Sequence, residues 1–167
     1  FPAKLTRWLH ERYTYFQGNT TKGVVLLPCE LIEANGPALR TAVRHYCTLW
    51  QLAPEFQVWL DRSCHFCSTL VDRIVTGYPT GEMEQLQSEL GYQDDFLVAG
   101  ELYHYWAIEA PAWVKRELPL ERAGLNVHWV DDLAPIRMRK VAILNGAPTL
   151  LAAVAFLAGL ATAGDAA

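Results

Sequence analysis

Lys22-Gly23-Val24-Val25-Leu26-Leu27-Pro28 sets four apolar residues in a row between a glycine and a proline, with no polar alternation. A strand with one wet face alternates, whereas an unbroken Val/Leu run fits a strand covered on both faces, as in a parallel sheet. Upstream, Leu5, Trp8, Leu9, Tyr13 and Phe16 recur at helical spacing behind Pro2, a residue suited to a first helical turn. Helix followed by buried strand is half of a βαβ unit. Downstream, Asn35-Gly36-Pro37 is a turn that can open a helix over Ala38 to Trp50. The expected class is therefore α/β. In a parallel strand Asn35 lies near the C-terminal end, the edge where open α/β sheets bind ligands.

Pro54 opens another amphipathic segment through Phe56, Trp59 and Leu60, running to Ser63-Cys64-His65-Phe66-Cys67. A structural zinc needs a second cysteine pair, and a redox Cys-x-x-Cys should follow a strand and open a helix. This one ends a helix, so two packed thiols are the simpler reading. Tyr78-Pro79-Thr80-Gly81 reads as a turn, and Glu82 to Leu90 as a short acidic helix closed by Gly91. Leu102 to Ala110 and Asn126 to Val130 read as strands, neighbours in a small antiparallel piece. His104 and His128 lie on them without an evident third ligand, and surface roles suit them better than a metal. His10 and His45 are lone residues on amphipathic helices, suited to polar-face or capping roles.

The chain has 167 residues, 51% of them hydrophobic, with six tryptophans, enough for a buried core in one domain or pieces of two. A net charge of −4 without a basic block excludes a nucleic-acid partner. The first residues do not read as a basic, apolar, small-residue leader, so nothing argues for secretion, and four cysteines fit reduced thiols of a cytoplasmic protein. Thr149 to Ala163 is apolar or small but shorter than the roughly 20 residues that span a bilayer, which favours a buried helix over a membrane anchor. Phe1 at the start, and a tail that trails off after an apolar helix, read as a fragment of something longer.

Two stretches carry candidate chemistry. Asp72 and Arg73 sit side by side inside Phe66 to Val75, where unpaired charges are costly, so they form either a structural ion pair or part of a polar cleft. Farther on comes Arg139-Lys140-Val141-Ala142-Ile143-Leu144-Asn145-Gly146-Ala147-Pro148-Thr149. At roughly 100° per residue, Lys140 at 0° puts Asn145 near 140° and position 148 near 80°, so one face gathers all three. An amine beside a carboxamide suits proton transfer to a hydroxyl or carbonyl, the amide holding the oxygen. The plain alternative is a helix-start lysine and an ordinary polar asparagine. Asp131 and Asp132 are placed to neutralise Arg137, Arg139 and Lys140. Pro148 either disturbs an unbroken helix or, after a break at Asn145-Gly146-Ala147, opens a new one.

Lys140 and Asn145 match the Lys-x4-Asn-x2-His motif of the mannitol dehydrogenase family, the polyol-specific long-chain dehydrogenases, which this sequence resembles. Pro148 stands where the family has histidine. The resemblance extends through Pro28-Cys29-Glu30-Leu31-Ile32 with Asn35-Gly36, and through Val71-Asp72-Arg73-Ile74, and runs from Pro2 to Leu160. Thr76 departs from the proline or serine often seen at its position.

The resemblance implies the C-terminal part of a Rossmann-type domain with appended strands over residues 1–135, then the start of a helical substrate domain over 136–167. It also implies NAD as hydride carrier, no catalytic metal and a small-molecule sugar-acid substrate. The branch it looks most like interconverts D-tagaturonate and D-altronate, with fructuronate or mannitol 1-phosphate as alternatives. Lys140 would act as general acid/base, Asn145 and Asn35 would hold the oxygen, and Asp72 would bind at the polyol cleft with Arg73 as mainly structural support. Gly-x-Gly-x-x-Gly, which would cradle the pyrophosphate, occurs nowhere in the sequence. With Pro148 in the motif, a non-catalytic remnant is the rival reading.

Overall fold

A computed structural model of the chain describes residues 1–160 and Asp165. Three helices, α1 (Pro2–Tyr15), α2 (Asn35–Leu49) and α3 (Pro54–Ser63), enclose a core of Leu9, Val43, Cys47, Phe56, Trp59, Leu60 and Cys64. Pro2 and Pro54 both sit in first turns, where the missing N–H costs no helical bond. Leu9, Val43 and Phe56 are wholly buried, each worth about 1.5–3 kcal/mol of apolar transfer. Trp59 anchors the edge of this core by donating its indole N–H to the Asn19 carbonyl at 3.0 Å.

Strands β1 (Val25–Leu26) and β2 (His65–Phe66) pair in parallel, as the apolar run predicts. The strand is shorter than that run, and Val24 to Leu27 are only half-buried, because β2 alone flanks β1 among the described residues. Gly23 is forced: a Cβ there would lie 1.6 Å from the Ser63 carbonyl oxygen.

A second sheet has the order β3 (Ser68–Asp72), β6 (Tyr105–Glu109), β7 (Val127–Val130). β3 and β6 are antiparallel, Asp72 opposite Tyr105. β6 and β7 are neighbours as expected but run parallel, which corrects the antiparallel expectation. The reason is the connection: residues 110–126, carrying α5 (Ala112–Glu117), form a crossover of the length a parallel pair requires. Between β3 and β6 an arm of β4 (Val75–Gly77) and β5 (Ala99–Gly100), antiparallel, encloses α4 (Met83–Leu90), which Gly91 closes at φ 77°.

The chain then runs along one continuous helix, Ala134–Leu157, made of α6 (Ala134–Arg139), a π-helical turn over Lys140–Asn145, and α7 (Gly146–Leu157). The helix does not break before Pro148; its hydrogen bonding widens instead. Asp132 starts it by accepting the Ala134 N–H at 2.9 Å, rather than neutralising the cations downstream. Leu133 and Ile136 pack on Leu70 and Ala107, fixing its first half to the second sheet. At 24 residues the helix is long and apolar enough to cross a membrane, unlike the shorter stretch read from sequence. The end of that stretch, through Ala163, lies outside the described residues.

Candidate functional site

Side chains alternate faces along a strand, so Leu70 and Asp72 share one face of β3. On the helix, Ile136 and Lys140 are one turn apart. Packing of Ile136 against the cluster around Leu70 therefore sets Lys140 over Asp72. The Lys140 Nζ lies 3.5 Å from the Asp72 Oδ1, and both side chains are 14% exposed. Neither Arg73 nor the Asp131–Asp132 pair is the partner that adjacency in sequence suggests.

The π turn changes the expected angles. Its wider i→i+5 turn brings residues five apart closer around the axis than the roughly 140° of an α-helix, so Lys140 and Asn145 lie nearer one another on one face. Asn145 and Pro148 line a cavity of about 390 Å³ together with Asp72, Glu101 and Tyr103. Lys140 and Arg139 line an adjoining cavity of about 380 Å³ with Asp72, Tyr103 and Tyr105. Asp72 and Tyr103 are the shared wall, and the volumes suit a small ligand. The Asn145 carboxamide has no hydrogen-bond partner among the described residues, while its backbone oxygen accepts the Thr149 hydroxyl at 2.8 Å. The motif's Lys, Asn and substituted third position thus all face this paired cavity.

Asn35 does not join them. It is 2% exposed, and its Nδ2 contacts the carbonyl oxygens of Pro28, Glu30 and Thr69 at 3.0, 3.1 and 2.9 Å. Its Oδ1 accepts the Thr69 N–H at 2.9 Å. The carboxamide staples the Pro28–Glu30 loop to β3, and Asn35 does not line the paired cavity where the resemblance implies a hold on the substrate oxygen. Gly36 beside it permits the approach, since a Cβ would lie 2.4 Å from the Cys67 carbonyl oxygen.

Arg73 is exposed and donates its Nε–H to the Glu101 carbonyl at 2.9 Å, while Glu101 accepts the Ile74 N–H at 2.6 Å. It braces the β4–β5 arm and lines a separate cavity on the other side of Asp72. Tyr103, Tyr105 and Glu101 are wall residues that sequence reasoning missed. The spacing Tyr103-x-Tyr105 at the head of β6 was the available signal, since residues two apart share a face.

The cysteine pair is packed. Cys64 and Cys67 are buried, and burial pushes both thiols above their ordinary range. Among the described residues no group of three His, Cys, Asp or Glu is placed to hold a metal ion. His104, just before β6, accepts the Asn126 N–H at Nε2, and Asn126 Oδ1 lies 2.8 Å from Nε2 of His128 on β7, so both histidines serve a structural network. Another cavity, of about 490 Å³, lies apart from Lys140 beside Asp61. There the Arg40 hydrogen bond, with Arg44, holds the Asp61 carboxyl below its usual range.

The profile of the mannitol dehydrogenase Rossmann domain matches residues 1–122. An altronate oxidoreductase of Pectobacterium carotovorum subsp. carotovorum is 56% identical over 165 residues, which are 99% of this chain and 34% of that protein. That of Bacillus subtilis is 51% identical over 166 residues, 99% of this chain and 35% of the relative. The crystal structure of a D-sorbitol dehydrogenase in substrate-free form superposes with a TM-score of 0.75 at 25% identity, covering 96% of this chain and 31% of that one. A mannitol 2-dehydrogenase of Pseudomonas fluorescens, in ternary complex with NAD and D-mannitol, gives a TM-score of 0.58 at 27% identity, covering 81% and 27%. The chain spans about one third of the length of the curated relatives it matches.

Proposed function

The chain belongs to the mannitol dehydrogenase family, and from that premise we propose that it is the central part of an NAD-dependent oxidoreductase interconverting D-tagaturonate and D-altronate. The observation that carries the reading is the convergence of Lys140, Asn145 and Asp72 on one paired cavity. Residues 1–135 are then the end of the dinucleotide-binding domain with its appended strands, and 136–167 the start of the helical substrate domain. The exposed apolar side chains Val141, Ile143, Leu150 and Val154 pack against the remainder of the longer protein rather than lipid. The setting is cytoplasmic hexuronate breakdown.

When bound, NAD supplies the hydride. No glycine-rich turn of this chain cradles a pyrophosphate, so that cradle belongs to the remainder of the protein. What these residues contribute is the proton and the oxygen site. Lys140 gives its Nζ proton to the ketone oxygen in the reductive direction and takes the hydroxyl proton in the other. Asn145 donates an amide N–H to the same oxygen as charge develops on it. Asp72 orients the Lys140 ammonium, Arg73 stiffens the neighbouring arm, and Asn35 fixes the loop at the strand edge. Pro148 offers no side-chain donor where the family motif has histidine.

The test is a chimaera in which this chain replaces the matching segment of the Pectobacterium altronate oxidoreductase. NADH-dependent reduction of D-tagaturonate is the expected result. A folded chimaera that reduces fructuronate or a neutral ketose but not D-tagaturonate contradicts the substrate assignment, and one inert with every ketose favours the non-catalytic reading.

A further inference from the structure

A sugar acid differs from a neutral polyol by a carboxylate, and a site that prefers the acid needs a cation free to meet it. Among the described residues, Lys140, Arg73 and Arg139 line cavities around Asp72. Lys140 is engaged by Asp72 itself. Arg73 lies on the far cavity and donates to the Glu101 carbonyl. Arg139 is the remaining one, and among the described residues it has neither an ion pair nor a hydrogen bond.

Its surroundings suit the task. Arg139 adjoins Lys140 in sequence, and the two line the same cavity with Tyr103 and Tyr105. Burial raises the Tyr105 hydroxyl pKa and the nearby Tyr103 adds to the rise, while the Arg139 charge partly offsets both, which places the guanidinium within electrostatic reach of that ring. The planar fork matches a carboxylate in two parallel hydrogen bonds. Two phenols beside it are of a kind to bond the hydroxyls of a sugar chain.

We propose that Arg139 binds the substrate carboxylate and is the residue of this segment that selects sugar acids over neutral polyols. The inference rests on the proposed function, because a carboxylate ligand is what that reading requires. Arg139 is a specificity residue and moves no proton.

The experiment uses the chimaera with Arg139→Gln and Arg139→Lys. For D-tagaturonate, Arg139→Gln is expected to raise KM on the order of 10²-fold, the scale of losing a charged hydrogen-bonded contact, with kcat within a few fold. Arg139→Lys should recover part of the loss. In parallel, the 167-residue chain labelled with 15N is titrated with D-gluconate and with D-sorbitol. The Arg139 side-chain Nε–Hε resonance is expected to move with the acid and not with the polyol. An unchanged KM, or a resonance indifferent to both probes, overturns the assignment. These outcomes separate the two claims: a chimaera that reduces D-tagaturonate and ignores the Arg139 substitution refutes only the carboxylate contact, whereas one that never reduces it refutes the reading beneath.

Discussion

Lys140 Nζ stands 3.5 Å from Asp72 Oδ1, although 67 positions of sequence lie between them and Arg73 is adjacent to Asp72. A strand period of two and a helix period near four, meeting through Leu70 and Ile136, bring the pair together. Asp72→Asn keeps the shape and removes the charge. It is expected to lower stability by about 2 kcal/mol, between an exposed ion pair and a buried one broken on one side. A double-mutant cycle with Lys140→Met, read by urea denaturation, should show coupling; additive effects would mean the pair is incidental.

Asn35 gives a contrasting expectation. Asn35→Ala leaves the Thr69 N–H and the Glu30 carbonyl without their side-chain partner inside the protein, while the Pro28 carbonyl keeps the Thr69 hydroxyl. The cost is expected to be about 3 kcal/mol or more, since each buried unsatisfied group costs about 1–3. In the chimaera, turnover per folded molecule should stay within a few fold of the parent. A well-folded variant with abolished turnover would return Asn35 to the chemistry.

Pro148→His tests the departure from the motif. Within an ordinary helix the proline would cost about 3 kcal/mol, but here a widened turn precedes it and the helix continues unbroken. The histidine variant is therefore expected to melt within a few degrees of the parent. Its imidazole would face the Asn145 cavity, and turnover of D-tagaturonate should rise about tenfold or more. Equal rates would make position 148 catalytically silent.

The cysteines divide by burial. Cys29 is exposed, whereas Cys47, Cys64 and Cys67 are buried with thiols held above the ordinary 9.0 by desolvation. A thiol-specific chromogenic reagent at pH 8 is expected to find one fast thiol and three slow ones. Because the three folded values are raised, their stabilising contribution is full below pH 9.0 and is lost as pH climbs through the folded values. Stability that holds flat from pH 8 to 11 would contradict this.

Local chemistry announces itself in the sequence, and register does not. Pro2 and Pro54, the Val24–Leu27 run and Gly91 each mark their element through backbone demands confined to a few residues. The parallel sense of β6 and β7 depends on how residues 110–126 cross over, which neither strand encodes by itself. The motif spacing marks Lys140 and Asn145, yet treating it as α-helical misplaces them, because the chain takes a π turn over Lys140–Asn145 that the spacing does not announce. Asn35 is ambiguous for a related reason: an asparagine at a strand edge looks the same in sequence whether its amide faces a ligand or its own loop.

In the proposed reaction Lys140 moves the substrate proton. Single-turnover reduction of D-tagaturonate by the chimaera at neutral pH, with NADH saturating, tests it through Lys140→Ala. The expected result is a chemical step slowed about 10²-fold or more with NADH affinity unchanged. An unaltered single-turnover rate in a well-folded variant would contradict it.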